Sequence, residues 1–80
     1  MSNFTEADLP CRIDHEQMVT FGDGTTVRFE TNGEAKDVYL GDAFMPNCQL
    51  FPGNEFDFEV CGKPYKVTAE FEDVITVSVR

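Results

Sequence analysis

Tryptophan is absent from these 80 residues, histidine occurs once, and basic side chains number only six against fifteen Asp and Glu. The resulting formal charge of −9 argues against direct binding of nucleic acid, whose phosphates need a basic surface, and against anionic membranes. No apolar run approaches membrane-spanning length. The segment Met1 to Pro10 has neither the basic nor the apolar region of a secretory signal. Three cysteines, Cys11, Cys48 and Cys61, cannot all pair within one chain. A disulfide framework is therefore not expected, and an intracellular, reducing origin is. Glycine-rich phosphate loops are also missing, since Gly53 and Gly62 stand singly. A chain of this length makes one domain that buries only about 60–65% of its unfolded surface, so a deep, water-excluding active site is hard to build.

What is present is alternation. Phe56, Phe58 and Val60 alternate with Glu55, Asp57 and Glu59; Tyr65, Val67, Ala69 and Phe71 alternate with Lys66, Thr68, Glu70 and Glu72. A period of two means strands with one buried face, and Val74 to Val79 completes a three-strand meander. Upstream, Met18 to Phe21, Thr26 to Glu30 and Asp37 to Leu40 read as strands. They are punctuated by Gly22-Asp23-Gly24 and by Asn32-Gly33, a type I′ hairpin signal. The expectation is an all-β fold: a small antiparallel barrel or meander, SH3-like or OB-like, of about six strands over residues 17–80. Residues 1–16 are expected to form a polar N-terminal arm, with Ser2, Thr5 and Asp8 available to cap one helical turn.

Few groupings of residues could carry chemistry. Cys11, His15, Cys48 and Cys61 would supply zinc ligands only if the fold gathered them, and their spacing matches no zinc module, leaving unrelated thiols as the alternative. His15 between Asp14 and Glu16 offers acid–base groups in a polar leader with nothing to fix their geometry. Gly22-Asp23-Gly24 is followed by too few oxygen donors for calcium. Neither a cofactor, a metal nor a catalytic centre is expected, and the chain is read as a non-enzyme.

Contact chemistry is better represented. Phe4 and Leu9 in the arm, and Phe44, Met45, Leu50 and Phe51 in the Gly41–Asn54 loop, lie outside the periodic strands and are candidate partner contacts. With Val60 set against Tyr65 across a four-residue turn, Glu59 would face Lys66 and Glu55 would face Glu70. The outer face of the hairpin would then carry Glu55, Asp57, Glu59, Glu70 and Glu72, offset by Lys66 alone. Solvent or a basic partner would have to screen it.

Pro52-Gly53-Asn54-Glu55-Phe56 followed by Gly62-Lys63-Pro64-Tyr65-Lys66-Val67 resembles the end of small β-barrel head–tail joining (head-completion or neck) proteins of tailed phages. The likeness spans roughly the last thirty residues. It implies a structural or adaptor subunit working by protein–protein contacts with portal, capsid or tail proteins, as a joining, neck or capsid cement protein. The subunit would be found in the virion or the host cytoplasm, and as an oligomer within the assembly. The alternative, drawn from charge, is an acidic inhibitor that mimics nucleic acid and blocks a host nuclease, polymerase or CRISPR complex.

Overall fold

The computed structural model describes residues 3–80, so Ser2 lies outside the described residues. Nine strands account for most of the chain: β1 Asn3–Thr5, β2 Cys11–Asp14, β3 Met18–Thr20, β4 Thr26–Asn32, β5 Ala35–Leu40, β6 Cys48–Leu50, β7 Glu55–Val60, β8 Lys63–Ala69 and β9 Val74–Val79. They form a five-stranded sheet in the order β1-β3-β4-β5-β6 and a four-stranded sheet in the order β2-β9-β8-β7. All pairings are antiparallel except β1 with β3, which is parallel. The all-β expectation holds, but the sheets do not close into a barrel. The chain changes sheet three times, between β1 and β2, between β2 and β3 and between β6 and β7, without a ladder across any of these crossings.

The segment expected to be a polar arm is part of both sheets. Phe4 stands beside Val19 in the first sheet, and Ile13 stands beside Ile75 in the second. Ile13 is fully buried and Phe4 and Leu9 pack against the core. The expected helical turn exists as a 3-10 turn, Glu6–Asp8, capped reciprocally: the Ala7 N–H donates to Thr5 Oγ1 at 3.3 Å and the Thr5 N–H donates to Asp8 Oδ2 at 2.9 Å.

Two hairpin registers also differ from expectation. Asn32 pairs with Ala35, so the β4–β5 turn is Gly33-Glu34. Only Gly33 has positive φ (65°), the sign pattern of a type II′ turn. Val60 pairs with Lys63, so the β7–β8 turn is Cys61-Gly62 rather than four residues. Both turn residues have positive φ, 52° and 79°, the type I′ pattern whose twist matches the flanking strands. Glu55 consequently faces Thr68 and Asp57 faces Lys66. Strand β8 ends at Ala69, so the inward alternation expected through Phe71 stops one step early and Phe71 is left 88% exposed in the turn to β9.

The core lies between the sheets. Val19, Val27, Phe29, Val38 and Leu50 from the first meet Ile13, Phe58, Val60, Tyr65, Val67, Ala69, Ile75 and Val77 from the second. Phe21, just past β3, knits them together, with its ring centroid 4.7 Å from Tyr65 and 5.8 Å from Phe58. On the outer face of the first sheet Arg28 stacks over the Tyr39 ring at 4.3 Å, and the Tyr39 hydroxyl donates to Glu30 at 3.3 Å.

Candidate functional site

The expected contact residues separate into three groups. Leu50 is core, because Cys48–Leu50 forms a strand on β5 inside what read as a loop. Phe4 and Leu9 are half-buried against the same core. What remains outside is Phe44, fully exposed, Met45, 77% exposed, and Phe51, 51% exposed. The first two crown the loop from Gly41 to Asn47. That loop is pinned at its base by Asn47, whose Oδ1 accepts the Leu40 N–H at 2.9 Å while its own N–H donates to the Val38 carbonyl at 2.8 Å. The loop base is thus hydrogen-bonded, while Phe44 and Met45 stand bare in water outside the core of the chain.

Phe51 belongs to a different surface, at the opposite end of β5. The turn after β6 is held to the end of β8 by the Gly53 N–H donating to Ala69 O at 2.8 Å and the Ala69 N–H donating to Asn54 O at 3.0 Å. This brings Phe51 and Pro52 to the turn that carries Phe71 and Asp73. Together with Gly33, Glu34 and Lys36 they line an open cleft of about 560 Å3. Lys36 and Phe71 were not among the expected site residues. Lys36 shares the inward parity of Val38 and Leu40, a signal that would have found it. For Phe71 the alternation pointed the wrong way.

The acidic hairpin face is more balanced than the sequence suggested. Glu55 Oε2 accepts from Lys66 Nζ at 3.2 Å and from Thr68 Oγ1 at 3.4 Å. Asp57 pairs with Arg80, and Glu70 accepts from Thr76 Oγ1 at 2.8 Å. Glu72 pairs with Arg12 of β2 at 3.4 Å. The Glu55–Glu70 opposition does not occur, and among the described residues Glu59 alone of these five acids makes no such bond.

The thiols are not gathered. Cys11 lies on β2, Cys48 on β6 of the other sheet, and Cys61 in the β7–β8 turn. His15 sits in the β2–β3 corner with Nε2 3.8 Å from Glu16 Oε1, both side chains largely exposed. Among the described residues no three His, Cys, Asp or Glu side chains are grouped as metal ligands. Burial, reinforced by Asp8, pushes the Cys11 thiol up; burial, reinforced by Asp37, pushes Cys48 up to about 11. The Asp23 carboxylate, more than burial, raises Cys61. Nucleophilic thiols need the opposite shift, so none of the three is activated.

No protein family, no curated protein and no solved structure matches this chain.

Proposed function

We propose that the chain is a non-enzymatic structural or adaptor subunit that works by protein–protein contact. The observation that carries this reading is the Phe44–Met45 tip, fully and 77% exposed on a loop whose base is fixed by Asn47. Large apolar side chains left bare on a loop with a hydrogen-bonded base can serve as anchors at an interface. The resemblance of the last thirty residues to head–tail joining proteins makes a tailed-phage particle the proposed setting, with a portal, capsid or tail protein as partner. The pairings of Glu55, Asp57, Glu70 and Glu72 weigh against an inhibitor that presents a continuous anionic face.

The test is a tagged pull-down from producing cells, washed at low and then high salt, with mass spectrometry of the retained proteins. Virion proteins retained by the parent at high salt and lost from Phe44→Asp/Met45→Asp, with the far-UV β signal unchanged, support the reading. A host nucleic-acid enzyme that leaves as salt rises would instead establish the inhibitor, because exposed charge is screened.

A further inference from the structure

Lys36 is the one buried charged residue among the described residues, with 2% of its surface exposed. It shares the inward parity of Val38 on β5, stands between Thr31 of β4 and Leu50 of β6, and lines the cleft. Its ammonium makes no hydrogen bond and no ion pair among the described residues. Among the described residues no buried side-chain nitrogen or oxygen is sealed away without a partner, so this nitrogen keeps some solvent contact, and Lys36 lines the cleft. Fifteen acids occur in the chain, and two of them, Glu34 and Asp73, line the same cleft. Neither comes within ion-pairing distance. A cation with no counter-charge in the structure is available to an anion that enters the cleft, where a charge-assisted hydrogen bond can form. Phe51 and Phe71 flank the position, 51% and 88% exposed, and offer apolar faces to whatever accompanies the anion.

We propose that this cleft receives a segment of a partner protein in which one carboxylate adjoins an aromatic side chain, the carboxylate meeting Lys36 and the ring lying against Phe51 and Phe71. The proposal rests on the protein-contact reading above and adds the chemistry of the partner. Glu34 and Asp73 at the rim restrict the anion to a single charge and a compact shape, since a doubly charged group would meet them as like charges. The cleft and the Phe44–Met45 tip lie at opposite ends of β5, so the subunit has two contact poles.

The experiment is an NMR titration of the isotope-labelled full chain with phenylpropionate, alongside phenethylammonium and phenyl phosphate. The expected result is saturable shifts for phenylpropionate confined to amides of Gly33, Glu34, Lys36, Phe51, Phe71 and Asp73, weaker binding of phenyl phosphate, and none of the ammonium compound. Lys36→Met, which keeps the stem, should bind phenylpropionate about tenfold more weakly, the usual effect of losing a hydrogen bond to a charged group. Absence of saturable shifts, equal binding of the ammonium compound, tighter binding of phenyl phosphate, or an unchanged titration of Lys36→Met would each overturn the proposal. Phe71→Ser, at an exposed position, gives the same decision if Lys36→Met does not fold: weakened binding is expected, and an unchanged affinity rejects the site. Phe44→Asp/Met45→Asp should leave the titration untouched, so failure of the cleft and failure of the assembly reading are separately visible.

Discussion

The hydroxyl of Tyr65 donates to Oε2 of Glu6 at 3.3 Å, while Oε1 of the same carboxylate accepts the Gly22 N–H at 2.9 Å. One side chain from the 3-10 turn thus ties the β3–β4 connection to the middle of the second sheet. Glu6→Ala should lower the thermal midpoint by roughly 5 °C, with a smaller drop for Tyr65→Phe. Burial, and then Glu6, hold the Tyr65 phenol above its ordinary value of 10.0. A raised phenol contributes stability that is complete below the unfolded value and is lost as pH rises through the folded one. The midpoint should therefore fall above pH about 10, and fall less in Glu6→Ala. A parent whose midpoint is flat across that range would refute the contact.

Cys48 makes a second alkaline prediction. Its thiol moves from 9.0 to about 11 through burial and Asp37, so the neutral form is favoured in the fold. Stability from this group is whole below pH 9.0 and disappears towards about 11. Urea midpoints of the parent and of Cys48→Ala should converge or cross over that window. At pH 8 a thiol reagent should label exposed Cys61 first, with Cys48 slower by about tenfold or more until urea is added.

Ile13 is fully buried on a strand only four residues long. Ile13→Ala should cost about 3 kcal/mol, a large part of the stability of a domain this small. The check is the urea midpoint, with the slope of the transition unchanged. A loss under 1 kcal/mol, on the order seen for surface changes, would mean that the segment is a loose arm after all.

Gly62 has φ 79° with nothing within 4 Å of a Cβ built on it, so strain alone opposes a side chain there. Gly62→Ala should destabilise by about 1 kcal/mol. Cys61, at φ 52°, should gain from replacement by Asn, which tolerates this conformation best among residues with a Cβ. A calorimetric midpoint raised in Cys61→Asn and lowered in Gly62→Ala is the expected pair of outcomes.

The long alternating segments could be read directly. Val27 and Phe29, Val38, Phe58 and Val60, Tyr65 and Val67 all point inward as their parity demands. Most of the short elements could not, β3 excepted. Strands β1 and β6 have three residues each, too few for alternation to show, and β2 offers a single buried residue, Ile13, among polar neighbours. Their strand conformation comes from edge pairing supplied by the rest of the sheet. The sequence does carry Cys61-Gly62 as a two-residue turn, but Cys is not a residue that advertises positive φ, and the register moved accordingly. Of the candidate site, Phe44 and Met45 were visible because no periodic strand claims them. Phe51 cannot be separated from them in the sequence, since only the tertiary fold sets it in one cleft with Phe71 and Lys36.

Among the described residues strand β2 pairs with β9 alone. Cys11 therefore waits for Val77, about 66 positions later, an interval of roughly 3–13 s at ordinary rates of synthesis. Until then the second sheet lacks one margin and Ile13 has no Ile75 to cover it. Closing the second sheet thus requires a contact between nearly opposite ends of the described chain, the kind of long-range pairing that slows folding.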